Sequence, residues 1–493
     1  MKASKCTVSI SILVLGLTLC ANTAMAGKPN GSRGGKEKIP QTFFPQLVGA
    51  TALHSEGITG EGIGVAILDT SIWTYGAVAF DTDHIWRLDQ YYDAVEDFEA
   101  IWAVGAYDGP WPNPDDSGHG SHMAGVMANS EKKNGGAPYN GVAPDVDLII
   151  VRAFGGSGQG AYADVIRGID WIVANKDLFN IRVLNLSFSA PPQSHYWDDP
   201  LNQAVMAAWQ AGIVVVASAG NTGPDPMTVG VPGNVPYIIT VGAMSDAVTP
   251  EIPDDDYLAS FSAAGPTYEG FVKPEIVAPG GHVVAPMSPS STIATEHPEF
   301  VPEANYFTMS GTSQAASVVS GVVALMLQAE PDLNPDEVKC RLIASARPAV
   351  ETDGTLAYSV FQQGAGMVNA YDATYSTATG CANQGLDINQ DLAGSQHYRG
   401  RANRWPDGSY YIDGLEGDGF MWSDGFMWSD GFLWSDGFMW SDGFLWSDGF
   451  LWSDGFLWSD GFLWSDAFVE FDGFMWSDTL TESASINVWV EQE

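Results

Sequence analysis

Positively charged residues are scarce in this sequence. Its 493 residues include 20 Lys and Arg against 60 Asp and Glu, which gives a formal net charge of −40. Nucleic acids and anionic lipid surfaces are bound chiefly through basic side chains, so this balance excludes both as partners. The acidic excess indicates a soluble protein and carries no information about mechanism.

Long apolar runs are also nearly absent. Residues 1–26 join the basic residues Lys2 and Lys5 to an apolar centre, and end in a triplet of small residues at Ala24–Ala26. This layout is typical of a secretory signal peptide. No later segment is expected to reach the length of a membrane span. We therefore expect a secreted protein without a membrane anchor.

Cysteine is rare, and two of the four cysteines, Cys6 and Cys20, lie in the signal segment. A lipid anchor at Cys20 is disfavoured because the bulky Leu19 precedes it, where lipoprotein signals keep a small residue. Cys340 and Cys381 remain, in a compartment that permits disulfides. A bridge between them would close a loop of about forty residues and contribute roughly 4 kcal/mol. Two free buried thiols are the alternative.

Between about Thr51 and Ala373, short apolar runs alternate with longer helical patterns. The predicted strands are Ile63–Leu68, Leu148–Val151, Ile181–Leu186, Ile213–Ala217 and Tyr237–Val241. The predicted helices are Gly120–Ala128, Ala161–Asn175, Pro200–Gln210 and one that opens at Asn334–Glu337. Continuous apolar strands are typically covered on both faces. The alternation therefore predicts an α/β fold in three layers, with a mostly parallel central sheet.

A strict repeat of Asp-Gly-Phe-(Met/Leu)-Trp-Ser runs from Asp418 to Ser477, and we call these ten hexads the hexad array. Only the ninth hexad, Asp466–Phe471, is degenerate. An even period suits extended chain and each Asp-Gly is a turn signal, which favours a β-rich solenoid. A meander of short strands and a disordered segment are the alternatives. An exposed aromatic array would form a binding surface, for example for a cell surface or a polysaccharide.

Hydroxyl side chains crowd residues 309–321, which read Met-Ser-Gly-Thr-Ser-Gln-Ala-Ala-Ser-Val-Val-Ser-Gly. Ser313 begins an apolar stretch that predicts a buried helix, and Gly311 before it allows close backbone approach. A helix start favours an anion formed nearby, but a serine becomes a nucleophile only beside a base. Taken alone, the stretch is explained equally well by Thr312 or Ser313 capping a core helix.

Two further segments offer the missing base and its partner. Asp69 directly follows the apolar strand from Ile63, at the edge where parallel sheets place their active sites. His119 lies between glycines at the start of a predicted helix. His119 and His122 have the spacing of metal ligands, but no convincing third ligand completes a zinc site.

The order Asp69, His119, Ser313 and the sequence around each residue resemble the subtilisin-like serine peptidases. The matching blocks are Ala52–Thr70, Gly118–Gly125, Gly141–Pro144, Ala219–Asn221, Ser310–Ser317 and Gly364–Ala370. The similarity covers residues 46–374. It implies the subtilisin-like α/β fold and hydrolysis of peptide bonds in protein substrates.

The resemblance also implies roles for single residues. Ser313 would attack the scissile carbonyl, His119 would accept and return the proton, and Asp69 would orient the imidazole. Asn221 and the backbone N–H of Ser313 would stabilise the oxyanion. His122 would be structural.

Substrate contacts are implied for the segment Ser187, Phe188 and Ser189, which would pair with an extended peptide. Tyr162 would line an outer apolar subsite. Ala219 and Gly220 would border the primary pocket, where no charged residue occurs, so we expect apolar or uncharged preference. Catalysis would require no cofactor, and no ligand set for a structural calcium ion can be assigned.

Some positions depart from the family pattern. Gln314 replaces a usual methionine, Ser317-Val318 replaces Pro-His, and Ser189-Ala190 replaces a glycine pair. These changes affect packing and the fit of the substrate more than proton transfer. The chain between Gly27 and Phe44 is too short for the folding propeptide that many relatives carry.

The resulting organisation has six parts: a signal peptide (1–26), an N-terminal extension (27–45), a peptidase domain (46–374), a linker (375–417), the hexad array (418–477) and a C-terminal tail (478–493). The first functional hypothesis is a secreted serine endopeptidase. A second is a catalytically silent binding or adhesion protein that acts through the hexad array. An esterase is a third, but the Gly-x-Ser-x-Gly elbow is absent at Ser313.

Overall fold

The structure is a computed structural model, and it describes residues 39–101, 114–245, 256–412, 483–486 and 490. The signal peptide, residues 27–38 of the N-terminal extension and the hexad array lie outside the described residues. The described strands are β1 (Gly64–Asp69), β2 (Leu88–Asp93), β3 (Phe98–Ile101), β4 (Asp147–Arg152), β5 (Gln159–Ala161), β6 (Ile181–Leu186), β7 (Phe188–Ser189), β8 (Val214–Ser218), β9 (Ile239–Ser245), β10 (Tyr257–Leu258), β11 (Ile276–Pro279), β12 (Val283–Pro286), β13 (Tyr306–Met309), β14 (Ala402–Arg404), β15 (Tyr410–Ile412) and β16 (Ser483–Ile486).

The described α-helices are α1 (Phe44–Leu47), α2 (Ala50–Ser55), α3 (Gly76–Ala79), α4 (His119–Ala128), α5 (Tyr162–Asn175), α6 (Pro200–Gln210), α7 (Thr292–Glu296), α8 (Thr312–Ala329), α9 (Pro335–Ser345), α10 (Val360–Gln363), α11 (Ala370–Tyr375) and α12 (Ile388–Leu392). Asn334 caps α9 as its sequence predicts, since its side chain accepts from Glu337 N and the Glu337 carboxylate accepts from Asn334 N.

A mostly parallel sheet forms the centre of the molecule, as predicted. Its strand order is β10-β9-β8-β6-β1-β4-β2-β3, with β11 also paired to β9. Only the pairs β2–β3 and β9–β10 are antiparallel. Every residue of β1, β8 and β9 is buried, so both faces of the sheet are covered. The helices α4 and α8 pack together against it, and α5 and α6 form a second packed pair.

The five predicted strands correspond to β1, β4, β6, β8 and β9, with ends that differ by a few residues. The order of β1, β4 and β6 places the carboxyl end of β1 in the middle of the sheet. Asp69 is the last residue of β1. It therefore lies at the carboxyl ends of the parallel strands, where the loops that follow neighbouring strands converge.

Helix α8 corrects one expectation from the sequence. Its residues Thr312–Ala329 are long and apolar enough to span a membrane by length and composition, although no segment after residue 26 was expected to be. Within the protein, 89% of this window is buried, and the helix packs against β6, β8, β9 and α4. Its apolar character on all sides is that of a central core helix.

The segment 375–417, predicted as a linker, is folded as far as residue 412. It contains α12 and the hairpin β14–β15, and it packs on the peptidase domain. The buried carboxylate of Asp391 accepts hydrogen bonds from the hydroxyls of Tyr196 at 2.6 Å and Tyr237 at 2.9 Å. A buried carboxylate requires such partners, and these two come from the peptidase domain.

The C-terminal tail contributes a strand that the sequence did not predict. Strand β16 lies between β5 and β7 and pairs antiparallel with both. It therefore completes a small sheet at the surface of the peptidase domain.

Candidate active site

Asp69 and His119 form the centre of the site. Nδ1 of His119 lies 2.8 Å from Oδ1 and 2.9 Å from Oδ2 of Asp69. Both side chains are buried, with exposures of 1% each. A carboxylate at this distance holds the proton on Nδ1, so that Nε2 is left free of hydrogen and able to accept a proton.

A hydrogen-bonded loop fixes the Asp69 carboxylate and the start of α4. Oδ1 of Asp69 accepts from Thr70 N at 2.7 Å, and Thr70 Oγ1 accepts from Gly120 N at 3.0 Å. Gly120 packs so closely that a Cβ added there would lie 2.2 Å from the carbonyl oxygen of Ser71. Only glycine allows α4 to approach β1 this closely.

Asp115 ties the same loop together, and the sequence analysis did not single it out. It is buried and accepts hydrogen bonds from Thr70 Oγ1, Gly118 N, and the N and Oγ of Ser121, at 2.6–2.9 Å. Burial raises the pKa of this carboxyl, although the hydrogen bonds act in the opposite direction. An acidic residue just before a helix start is the signal that could have identified it.

Ser313 lies in the first turn of α8, with 1% exposure. Its Oγ donates a hydrogen bond to the carbonyl oxygen of Ser187 at 3.0 Å, and Ser187 Oγ donates to the carbonyl oxygen of Ser313 at 3.1 Å. Asn185 Nδ2 donates to Ser187 Oγ at 2.9 Å. These bonds fix the first turn of α8 on the end of β6.

Asn221 lies beside the same helix start. Its Oδ1 accepts from the N and the Oγ1 of Thr312, both at 2.9 Å. Because both Thr312 groups are donors, the amide atom that faces them is the oxygen Oδ1. The Asn221 Nδ2, with its two hydrogens, therefore faces away from Thr312. A Cβ added to Gly311 would lie 2.8 Å from Gln314 Oε1, 3.1 Å from Asn221 Nδ2 and 3.8 Å from Ser313 N. Asn221 Nδ2 and Ser313 N thus both lie near Gly311, at the start of α8.

Helices α4 and α8 are joined by polar contacts at the positions that depart from the family pattern. Ser317 Oγ donates to the sulfur of Met123 at 3.1 Å. Gln314 Nε2 lies 3.4 Å from Nδ1 of His122, whose Nε2 lies 3.1 Å from the carbonyl oxygen of Phe307. Burial lowers the pKa of His122 to about 3, so this imidazole is neutral and serves packing.

The predicted substrate residues lie along β7 and around its end. Ser187 and Phe188 are buried, and Ser218 Oγ donates to the carbonyl oxygen of Phe188 at 3.2 Å. Ala219 is buried in a small apolar cluster with Val229 and Ala263. Gly220 has φ +108°, and its N donates to Thr312 Oγ1 at 3.1 Å. Tyr162 is fully buried at the start of α5.

Cys340 and Cys381 are joined by a disulfide, with Cα atoms 5.1 Å apart and a sequence separation of 41 residues. No group of three or more His, Cys, Asp or Glu side chains that could hold a metal ion occurs in the part of the chain that the structure describes.

Comparison with known proteins gives a consistent result. The sequence model of the Subtilase family matches residues 60–366, which is more than half of the chain. The chain is 39% identical over 291 residues to serine protease AprX of Bacillus subtilis (strain 168), covering 58% of this chain and 61% of AprX. It is 31% identical over 302 residues to subtilisin DY of Bacillus licheniformis, covering 61% of this chain and 89% of subtilisin DY.

Among solved structures, fervidolysin from Fervidobacterium pennivorans, described as a keratinolytic enzyme related to subtilisin, is similar with a TM-score of 0.52 at 25% identity. The matched region covers 69% of this chain and 46% of fervidolysin. The chain thus spans less than two thirds of AprX and less than half of fervidolysin.

Proposed function

Since this chain belongs to the subtilase family of serine peptidases, we propose that it is a secreted serine endopeptidase that hydrolyses peptide bonds in proteins through an acyl-enzyme. The observation that carries this proposal is the contact of both Asp69 oxygens with Nδ1 of His119, at 2.8 and 2.9 Å. This contact leaves Nε2 of the imidazole as the base that a serine nucleophile requires.

In the first step, Ser313 Oγ forms a bond to the carbonyl carbon of the scissile peptide while its proton passes to Nε2 of His119. The Ser313 hydroxyl donates to the carbonyl of Ser187 at 3.0 Å in the structure. Asp69 stabilises the imidazolium that results.

The tetrahedral intermediate carries a negative charge on the former carbonyl oxygen. The donors to this oxyanion are Asn221 Nδ2 and the backbone N–H of Ser313, and the supporting observation is that Thr312 holds Asn221 Oδ1 at the start of the same helix. A donor of this kind typically contributes about 3–4 kcal/mol to transition-state stabilisation. The first turn of α8 adds the positive end of a helix dipole.

Collapse of the intermediate breaks the C–N bond, and the leaving amine takes the proton from His119 Nε2. The acyl group then remains as an ester on Ser313 Oγ. A water molecule attacks this ester and gives a proton to His119 Nε2; the bond between the acyl carbon and Ser313 Oγ then breaks, Oγ takes that proton back, and the acid is released. The described residues supply all proton transfers, and no step requires a cofactor.

The expected preference at the primary pocket is for apolar or uncharged side chains. The supporting observation is that Ala217, Ser218 and Ala219 are fully buried and uncharged, and that Ala219 packs with Val229 and Ala263. Secretion is supported by the composition of residues 1–26 and by the disulfide between Cys340 and Cys381, because disulfides persist in oxidising compartments.

A Ser313→Ala variant of the full chain tests the proposal. The variant should fold and lose at least about a thousandfold in the rate of casein hydrolysis. A fluorophosphonate reagent should label Ser313 in the unmodified protein, as detected by peptide mass spectrometry. Ser290→Ala, at an exposed serine, is the matched control and should keep full activity.

The alternative is a catalytically silent binding protein that acts through the hexad array. That function predicts neither labelling nor hydrolysis by the unmodified chain. Casein cleavage that survives Ser313→Ala would instead show that another residue is the nucleophile.

A further inference from the structure

The C-terminal strand β16 occupies a slot between two strands of the peptidase domain. Ser483, Ala484 and Ser485 pair with Ala161, Gly160 and Gln159 of β5. On its other side, Ser485 and Ile486 pair with Ser189 and Phe188 of β7. The sheet order is β5-β16-β7, so the two flanking strands meet only through the tail. Without β16, each would present an unpaired edge to an extended peptide.

The direction of β16 is that of a peptide which approaches the nucleophile. Strand β16 is antiparallel to β7, so its path from Ser485 to Ile486 follows β7 from Ser189 back to Phe188. The next residue in that direction is Ser187, whose carbonyl oxygen accepts the hydrogen bond of Ser313 Oγ at 3.0 Å. The part of a substrate that precedes the scissile bond would run through this slot in the same N-to-C direction as β16, because that part must lead towards Ser313.

One side chain of the strand is inserted into the protein. Ala484 has no exposed surface and belongs to the main apolar cluster, which also contains Tyr162, the first residue after β5. Val490 is half-buried against the same cluster. The tail is therefore held by its backbone on two sides and by apolar burial at Ala484, which is how extended peptides are recognised by strand addition.

We propose that residues 483–486 are an internal ligand of the substrate slot, so that the chain carries its own inhibitory strand behind the hexad array. This inference rests on the proposed function, because it assigns the slot between β5 and β7 to peptide substrates. Being tethered, the strand competes at an effective concentration that is independent of protein concentration. A substrate binds only in the fraction of molecules from which the strand has left.

Binding in the full chain with Ser313→Ala provides a test that requires no turnover. The probe is a fluorescein-labelled synthetic peptide with the sequence of residues 479–486, and the readout is fluorescence anisotropy. Ala484→Asp places a charge at a fully buried position and should release the strand. It should tighten probe binding by at least about tenfold. Equal probe binding by the parent and Ala484→Asp would overturn the proposal.

Two matched controls accompany this variant. Leu178→Asp adds the same charge at a residue that is 73% exposed and should leave probe binding at the parent level. Ala484→Ser keeps a small side chain and should also bind the probe as the parent does. Tighter binding in either control would mean that the effect is not specific to release of β16.

In the active full chain, Ala484→Asp should raise kcat/KM for a chromogenic tetrapeptide by at least about tenfold, mainly through KM. Intact mass is measured before each assay, so that only uncut protein is compared. If no variant hydrolyses the tetrapeptide while probe binding still differs, the proposed function fails and the assignment of the tail to the slot stands. If the parent hydrolyses the tetrapeptide, and Ala484→Asp has the same kcat/KM and the same probe affinity as the parent, the internal-ligand proposal is refuted and the proposed function stands.

A structural role for β16 predicts a different outcome. Ser485→Pro removes one backbone N–H from the strand that is paired on both sides, and it serves as a second variant. Thermal unfolding is measured for both variants. If both lose the folded state, β16 is a structural strand of the domain and the proposal is overturned.

Discussion

Thr312 donates two hydrogen bonds, from its N and its Oγ1, to Oδ1 of Asn221, both at 2.9 Å. The residue before Ser313 therefore orients the amide of Asn221, whose Nδ2 is the proposed oxyanion donor. Asn221→Ala should lower kcat by about 100- to 1,000-fold with little change in KM, because the oxyanion forms only in the transition state. Steady-state kinetics on a chromogenic peptide measures both constants.

Thr312→Val tests the orienting role. It removes one of the two donors to Oδ1 and should lower kcat by about tenfold, which corresponds to one hydrogen bond of about 1.4 kcal/mol. Thr312→Ser keeps the hydroxyl and should restore most of the rate. A Thr312→Val enzyme with unchanged kcat would show that the backbone N–H alone fixes the amide.

The central sheet and its helices could be predicted from the sequence because short, mostly apolar runs such as Ile181–Leu186 have the length of a strand and alternate with longer helical patterns. The same pattern places Asp69, His119 and Ser313 at the ends of predictable elements, whereas their catalytic roles follow from the family resemblance and stay a prediction. Asp115 was not singled out, although three of its four donors, Gly118 N and the N and Oγ of Ser121, are close in sequence; only its bond from Thr70 Oγ1 depends on tertiary folding.

Strand β16 could not be predicted either. Ser483–Ile486 is a short run with one large apolar residue, and nothing local distinguishes it from a solvated tail. Its conformation comes from the edges of β5 and β7, which lie more than 290 residues earlier in the chain. Pairing between such distant segments leaves no local signal in the sequence.

Gly120 should be intolerant of any side chain. A Cβ there would lie 2.2 Å from the carbonyl oxygen of Ser71 and 3.2 Å from Oδ1 of Asp69. Gly120→Ala should push α4 away from β1, lengthen the contact between Asp69 and His119, and destabilise the fold by about 1–3 kcal/mol. Casein hydrolysis and thermal unfolding measure the two effects.

Gly136→Ala is the matched control for this change. The nearest atom to a Cβ at Gly136 is Asn134 Oδ1 at 3.6 Å, an ordinary contact distance. Activity and stability should stay at the level of the parent protein. If Gly120→Ala behaves like this control, the close approach of α4 to β1 is not required for the site.

His122 should make the protein sensitive to acid. Its pKa is lowered to about 3 by burial, whereas in the unfolded chain the imidazole titrates near 6.5. Between about pH 6.5 and 3, the unfolded state binds one more proton at this residue. The free energy of unfolding should therefore fall with decreasing pH by up to about 1.4 kcal/mol per pH unit from this group.

Urea unfolding between pH 4 and 7, in the Ser313→Ala background to prevent self-digestion, measures this dependence. His122→Gln removes the titrating group, so its curve should have a shallower slope, although its stability at pH 7 is lower. Parallel slopes in the two proteins would show that other groups account for the acid sensitivity.

The last prediction concerns where the peptidase domain ends. A chain that ends at Tyr375 retains Asp69, His119 and Ser313, but it loses Cys381 and Asp391. Loss of the disulfide removes about 4 kcal/mol by the loop-entropy estimate, and the buried hydroxyls of Tyr196 and Tyr237 lose their shared acceptor. A chain that ends after Ile412 keeps both features and the hairpin β14–β15.

In the Ser313→Ala background, thermal unfolding of the longer chain should be cooperative, whereas the shorter chain should melt at a markedly lower temperature or fail to fold. Equal melting temperatures would mean that residues 376–412 lie on a domain that is complete without them.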